Sequence, residues 1–288
     1  MERLRKYEQY IPLIFLIIFA IIIWFFAFLY NNHHNYLEVV FLDVGQGDSI
    51  YIEAPNGKQM LVDGGPDAKL LSSLAKVMPF ADRSIDMVVE THPDTDHIGG
   101  LPQLLDNYKV TNILENGATS DSKTFSALEE KISEDKINKI IARRGMRIVL
   151  DAEKNIYFDI LFPDRDVSNL DSNDGSIVGK LVYGNSSFML TGDATLYTEN
   201  QIEWNENEDT LKSDVLKLGH HGSRTSSSIL WLEKVNPKVA IVSAGKDNKY
   251  GHPHQETLDR LSSLYIPFLS TAEIGNIIFK SDGTKLVY

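Results

Sequence analysis

From Leu37 to Tyr288 short apolar runs alternate with polar turns, and the runs carry two different periods. Strict alternation and short apolar runs read as strands, and apolar positions three and four apart read as helices. LEVVFLDV (37–44) and DSIYIEA (48–54) predict two strands joined by a turn holding Gly45 and Gly47. Asn56-Gly57 is a hairpin signal, and KQMLVD (58–63) returns as a third strand. Residues 68–78 predict an amphipathic helix, IDMVVE a strand, LPQLLDNY a helix, VTNILEN a strand and SKTFSALEEKISE a helix. In the second half MRIVLD, IYFDILF, SIVGKLVY and SFMLTGD read as strands and TLYTENQIEW as a helix. SDVLKLG and KVAIVSAG are strands, SSILWLEKV and QETLDRLSSL helices, and the tail closes a hairpin at Asp282-Gly283. Strand-rich halves with interleaved helices predict an α/β fold of sheets covered by helices on their outer faces. No linker splits residues 37–288, so the two halves are expected to give one sheet each to a single sandwich.

The first thirty residues follow another pattern. Ile11 to Tyr30 carries no charge, and about 20 apolar residues at 1.5 Å each span a bilayer core. Arg3, Arg5 and Lys6 precede the run and should stay cytoplasmic, which sets residues 37–288 outside. A cleaved signal peptide is the alternative, but the run is long for one and no small-x-small site follows it cleanly. The expected organisation is a basic flank at 1–10, a single transmembrane anchor at 11–30, a polar linker at 31–36 and an extracytoplasmic domain at 37–288. His33 and His34 belong to the solvated linker.

Composition narrows the chemistry. The 288 residues include no cysteine, which removes disulfide scaffolds, Cys-ligated zinc and thiol nucleophiles. A formal net charge of −12 argues against a broad basic face for duplex DNA. Bound divalent cations would invert the field locally, so a compact anionic substrate stays within reach.

The strongest chemical signal is Thr91-His92-Pro93-Asp94-Thr95-Asp96-His97-Ile98-Gly99-Gly100, directly after a predicted strand. In an extended loop His92, Asp94 and Asp96 alternate and point one way, while His97 points elsewhere, which suits a second ion. Gly99 and Gly100 are expected to let the chain turn sharply into the next helix. An acidic turn that merely caps a helix needs one such side chain, not four. Three more clusters sit at strand ends: Asp193 after FMLTG, His220 and His221 after LKLG, and His252 and His254 in YGHPH. Asp193 reads either as a helix cap near Thr195 or as a carboxylate bridging two cations. Six of the eight histidines lie in three strand-end loops, a clustering that packing does not explain.

Here the sequence resembles the metallo-β-lactamase superfamily, whose first motif is His-x-His-x-Asp-His. Asp94 stands at its second His, a variant similar to the external domain of the ComEC family of competence DNA-uptake channels. FLDVGQGDS (41–49), LVDGG (61–65), LTGDA (190–194), HHGSRTSS (220–227) and YGHPH (250–254) agree, in family order and across nearly all of residues 37–288. The resemblance implies a four-layer αββα sandwich with two divalent metal ions, zinc or manganese, between the sheets. It implies that His92 and Asp94 hold the first ion, that Asp96, His97 and His221 hold the second, and that Asp193 bridges. His221 is preferred to His220 because the superfamily's ligand usually precedes a small or acidic residue. The third-motif His of many relatives is missing, and Asn173 falls near its place. The family's multi-pass channel is not expected here, and one predicted anchor is expected in its place.

Carboxylate and amide in place of imidazole make the site harder, which brings manganese beside zinc as a candidate. Paired ions acidify water and neutralise charge on a phosphoryl oxygen, so phosphodiester cleavage suits such a site at least as well as lactam opening. His252 or His254 would stabilise the attacked phosphate or protonate the leaving oxygen, and His220 either does the same or supports a ligand. Ser223 and Asn173 stand near enough in sequence to touch substrate or support a ligand. Lys217, Arg224, Lys246 and Lys249 flank these loops and read as phosphate contacts or, more simply, solvated charges. Asp43, Asp48 and Asp63 read first as serving turns and strand ends, with support of metal ligands as the alternative, and Asp63 joins Asn173, Ser223 and Lys217 as a residue that would touch substrate or support a ligand. The expected function is a membrane-anchored metallohydrolase, a phosphodiesterase or nuclease on single-stranded or opened DNA. The alternatives are a phosphodiesterase on wall phosphate polymers and a non-catalytic partner of a separate uptake channel.

Overall fold

The computed structural model describes residues 10–33 and 36–288, with side chains at 10–25 and 36–288. It begins with a helix, Ile11–His33, whose described side chains are exposed. Among the described residues no helix is long and apolar enough to cross a membrane. The basic flank at 1–9, the last five side chains of the expected anchor and linker residues 34–35 lie outside the described residues.

Two sheets form the body. Strands β1 (Leu37–Phe41), β2 (Ile50–Glu53), β3 (Gln59–Val62), β4 (Ser84–Glu90), β5 (Lys109–Glu115) and β6 (Asn138–Ile141) belong to the first. The second holds β7 (Arg147–Asp151), β8 (Ile156–Phe162), β9 (Val178–Tyr183), β10 (Ser186–Leu190), β11 (Val215–Lys217), β12 (Val239–Val242) and β13 (Phe268–Ser270). The chain then returns to the first sheet with β14 (Ile277–Ser281) and β15 (Leu286–Val287). The orders are β15-β14-β1-β2-β3-β4-β5-β6 and β13-β12-β11-β10-β9-β8-β7. Thus the halves do not give one sheet each without exchange: the C-terminal hairpin pairs with β1, Phe41 opposite Ile277.

Strand alternation builds the layers. Val39 and Phe41 face the second sheet, in a cluster with Phe158, Phe188 and Phe279, while Val40 and Leu42 face helices. Phe279 and Phe188 meet edge-to-face across the sandwich with centroids 5.7 Å apart. Helices Lys69–Leu74, Leu101–Asn107 and Lys123–Glu134 cover the first sheet, and Leu196–Asn205, Ile229–Val235 and Gln255–Ser263 cover the second. The helix expected over 68–78 is shorter, Lys69–Leu74. Strands β6 and β13 were not readable: both lack a clean apolar alternation, and β6 is exposed at three of its four positions.

Strands β3 to β6 run parallel, as do β10 to β13. Loops leaving the carboxyl ends of parallel strands are where α/β sheets place ligands. Asp63, His92, Asp193, His220, His221 and His252 all follow such ends.

A candidate metal centre at the sheet edges

The loop after β4 starts as a clasp between strands. Asp63 accepts from the Thr91 amide at 2.8 Å and from the Thr91 hydroxyl at 2.7 Å, joining the ends of β3 and β4. The extended backbone lasts only to Asp94; Thr95–Ile98 is a helical turn with Asp94 at its cap position. Asp96 and His97 therefore leave a helix, and strand-like alternation does not apply to them. The helical turn brings His97 back to the cleft: its ring centroid is 4.1 Å from that of His92, not pointed away. Gly99 and Gly100 have ordinary right-handed φ of −59° and −84°, so no sharp turn needs them. Close approach does: a Cβ on Gly99 would lie 1.9 Å from the Pro66 carbonyl oxygen. Gly47, at φ +140°, similarly has no room, since a Cβ there would meet the Asp96 carbonyl oxygen at 2.1 Å.

The second sheet supplies the opposite wall. Thr195, not Asp193, caps the helix Leu196–Asn205, accepting from the Tyr197 amide at 3.2 Å. Asp193 is thereby free of a capping role, and it is buried. After β11, His220 and His221 adopt left-handed backbone with φ of 46° and 55°. Such conformations cost of order 1–3 kcal/mol each and persist only when their surroundings hold them. Here Glu199 holds the rest of the loop, accepting from the amides of Ser227 and Ser228.

Three buried imidazoles share one arrangement. His97 donates from Nδ1 to Asp63 Oδ2 at 2.8 Å. His221 donates from Nδ1 to the Ser243 carbonyl at 2.8 Å. Since the Thr91 hydroxyl donates to Asp63, its oxygen accepts from His92 Nδ1 at 3.1 Å. Each ring thus has its Nδ1 engaged and presents Nε2 to the cleft, the outer hydrogen bond that fixes tautomer and angle in metal-binding histidines. There Asp193 Oδ1 lies 3.2 Å from His97 Nε2, and Asp193 Oδ2 lies 3.3 Å from His221 Nε2. Asp96 Oδ2 is also 3.3 Å from His221 Nε2, and Asp94 Oδ2 is 3.6 Å from His92 Nε2.

The charges respond to one another. Burial opposes the charged form of Asp193, yet His221, His97 and Lys217 hold its carboxyl well below the usual carboxylate range. Burial disfavours the protonated form of His221 too, but Asp193 and Asp48 push its pKa up to about 9. His97 is raised well above the ordinary imidazole value, against burial, by Asp193 and Asp63. Asp96 is lowered: burial acts against it, and His221 and His97 outweigh that. The outer histidines behave in the opposite sense. Burial, with His221, His220 and His254 nearby, drops His252 to about 4, and burial lowers His220.

The other expected residues fall into distinct places. His220 Nε2 is 3.8 Å from Asp193 Oδ2, and its ring centroid is 5.3 Å from that of His252. His254 sits further out, its Nδ1 accepting from the Arg224 amide at 3.1 Å. Asn173 is half-buried with Oδ1 unpartnered, and its neighbour Ser172 donates to Asp94 Oδ1 at 2.7 Å. Ser223 is turned into its own loop, its hydroxyl 3.0 Å from that of Thr225, so the structure does not bring it to the cleft. Lys217 is not a solvated charge: it is fully buried, ion-paired with Asp48 and donating to the Gly192 carbonyl at 2.8 Å. Arg224, Lys246 and Lys249 are exposed, Arg224 pairing with Glu256 at 3.1 Å. An open cleft of about 660 Å³ is lined by Lys246, Asn248, His252 and Glu273 among others.

Asp43 keeps the expected turn role, accepting from the Gly45 amide. Asp63 and Asp48 do not stop at turns: Asp63 orients His97, and Asp48 Oδ1 lies 3.3 Å from His221 Nδ1. Ser172 and Ser243 act through single hydrogen bonds that no motif announces. The signal for Lys217 was present, since a lysine between Leu216 and Leu218 interrupts a strand of the fully buried, parallel type.

A divalent ion fits these residues. Nε2 of His92 and of His97, Oδ1 of Asp193 and Oδ1 of Asn173 are all buried without a hydrogen-bond partner. Such orphans are rare and require an account, and a cation ligated by them supplies one. Among the described residues Asp48, His97, Asp193 and His221 offer ligand atoms within 4.8 Å of one another. Nitrogen and carboxylate oxygen together accept zinc, manganese or iron.

A two-sheet sandwich with His and Asp ligands on edge loops is the architecture of the metallo-beta-lactamase superfamily, generally metal-dependent hydrolases; its family model matches residues 42–246, and the chain belongs to it. Curated relatives include ComEC-family competence proteins. It is 32% identical over 287 residues to ComE operon protein 3 of Bacillus subtilis, covering 92% of this chain and 36% of that protein. To Recombination protein 2 of Haemophilus influenzae it is 31% identical, covering 83% and 28%. To Competence protein ComA of Neisseria gonorrhoeae it is 30% identical, covering 85% and 32%. The chain thus spans about a third of the length of these relatives. Among solved structures, Igni18, a metallo hydrolase from Ignicoccus hospitalis, aligns with a TM-score of 0.51 at 16% identity, covering 84% of this chain and 98% of that one. CmlA, a diiron β-hydroxylase from Streptomyces venezuelae, aligns at 0.53 and 13%, covering 85% and 54%. These two share the fold.

Proposed function

We propose that this chain is a membrane-anchored, metal-dependent phosphodiesterase, a nuclease acting on DNA outside the membrane. The observation that carries the reading is the common posture of His92, His97 and His221, each engaged at Nδ1 and facing Asp94, Asp96 and Asp193 with Nε2. In this reading His92 and Asp94 hold one ion, with Asn173 beside them. Asp96, His97 and His221 would hold the other, and Asp193, close to both His97 and His221, would be the carboxylate shared between the two ions. When bound, such a pair supplies acidified water and charge neutralisation at a phosphoryl oxygen. The carboxylate share of the ligand set favours manganese beside zinc.

This chain's own groups then orient the substrate. His252 and His220, lowered by burial, are neutral at pH 7 and suit hydrogen bonding to a phosphate oxygen. The expected proton donation to the leaving oxygen needs a bound anion to raise them first. Arg224, Lys246 and Lys249 border the approach and favour a polyanion. DNA as substrate is supported by the competence and recombination names of the relatives; the net charge of −12 favours opened or short strands over long duplex. The apolar sequence from Ile11 to Tyr30, with basic residues before it, supports a single-pass anchor and an extracytoplasmic domain.

The test uses residues 1–288 purified in mild detergent. Release of nucleotides from single-stranded DNA is measured with manganese, zinc or magnesium, beside choline- and polyol-phosphate wall polymers. Metal-dependent cleavage of DNA, abolished in Asp193→Asn, is the expected result. Cleavage of wall polymer alone moves the substrate; cleavage of neither, with a lactam or lactone opened, overturns the phosphodiesterase reading. A biological role that survives in a metal-free Asp96→Asn variant marks a non-catalytic partner of an uptake channel. Resistance of the chain to alkaline extraction from membranes tests the anchor.

A further inference from the structure

Lys217 ends β11, and its side chain is 1% exposed. Its Nζ pairs with Asp48 Oδ2, donates to the Gly192 carbonyl and lies 3.6 Å from Asp193 Oδ1. Asp48 is equally buried, and it approaches the imidazoles from their Nδ1 side: 3.3 Å to His221 and 3.9 Å to His97. The proposed ions belong to the Nε2 side, where Asp94 and Asp96 stand half-exposed toward the cleft. Yet Asp48 is near enough to complete a four-residue set with His97, Asp193 and His221. A cation held by those four would be fully enclosed by protein ligands, the pattern of a structural site with no position left for substrate.

We propose that Lys217 is a positioning residue whose ammonium occupies the Asp48 carboxylate, withholds it from any metal ion, and so keeps the ion on the open, Nε2 side of the histidines. A carboxylate already neutralised by a tethered cation is a poor competitor for a free one, and the pair adds no net charge behind the site. Gly192 O, which receives the lysine, belongs to the turn that carries Asp193. Lys217 therefore also fixes the angle from which Asp193 enters the cleft. The inference rests on the metal-binding reading above.

Metal content by elemental analysis and affinity for Mn(II) and Zn(II) by calorimetry are compared for residues 1–288, Lys217→Met and Lys217→Met/Asp48→Asn, with folding followed by circular dichroism. Lys217→Met frees the Asp48 carboxylate. Binding is expected to tighten by about 10–100-fold, the range by which a supporting carboxylate changes metal affinity, while kcat falls more than KM changes. The double variant removes the added ligand and returns affinity to that of the unaltered chain. Unchanged or weaker binding by folded Lys217→Met overturns the proposal. If Lys217→Met does not fold, the double variant, neutral on both sides, decides. Unaltered affinity supports the proposal, and a loss of about 10–100-fold means that Asp48 already ligates and overturns it. An unaltered chain that takes up neither ion defeats the metal-binding reading itself, a result distinct from either.

Discussion

His221 and His252 have ring centroids 5.9 Å apart and hold protons in opposite senses. His221 is entirely buried, yet Asp193 and Asp48 raise it to about 9. His252 is half-exposed, yet burial first, and then the imidazoles of His221, His220 and His254, drop it to about 4, with Asp193 opposing them least. Burial alone would order them the other way. His97 and His221 are defined by the carboxylates behind and beside them, and His252 by having none so close. One group is built to exchange its proton for a cation, the other to stay neutral beside it.

The largest test of that contrast removes its source. Asp193→Asn leaves His97 and His221 without their shared counter-charge, and metal affinity by calorimetry should fall by about 100-fold, with metal-dependent activity at background. Next is pH. A group raised from 6.5 to about 9 on folding stabilises the fold fully below pH 6.5, and that contribution is lost as pH rises through about 9. His97 adds the same sign. Chelated protein should therefore lose up to ~3 kcal/mol from His221 between those limits in denaturant titrations, and manganese should shrink the loss by replacing the proton. His252 has the reverse sign: lowered to about 4, it contributes above pH 6.5 and loses that as pH falls through 4. A smaller effect is expected from Asp63→Asn, which loosens His97 and should weaken metal binding by about tenfold. The smallest effect on the ion belongs to His252→Ala: metal content by elemental analysis stays unchanged while kcat falls. A loss of metal there would place His252 among the ligands and erase the contrast.

The same contrast separates what the sequence made legible from what it did not. His92, Asp94, Asp96, His97, Asp193 and His221 stood out because ligand types cluster at strand ends, and the layers followed from apolar periodicity. Their orientation did not follow. Alternation along residues 92–97 requires extended chain throughout, but a helical turn intervenes and reverses where His97 points. The places of Asp48 and Asp63 were hard to read because residue type signals exposure on average, whereas their burial comes from elements distant in sequence; only the interruption of an apolar strand marked Lys217. Ser223 was favoured by its place beside two histidines, yet the left-handed backbone at His220 and His221 turns its hydroxyl toward Thr225. Single-residue supports such as Ser172 and Ser243 carry no pattern at all. Strands β6 and β13 escaped because edge strands need no alternation to be held.

The three apolar clusters contain none of the His or Asp side chains at the cleft, and the Nδ1 hydrogen bonds already hold the imidazoles in place. Chelation should therefore strip the chain to an intact, empty scaffold, unlike a zinc finger that melts without its ion. Reloading becomes a matter of diffusion and competition among the cations at hand, so which element occupies the protein in a cell is set by supply as much as by structure.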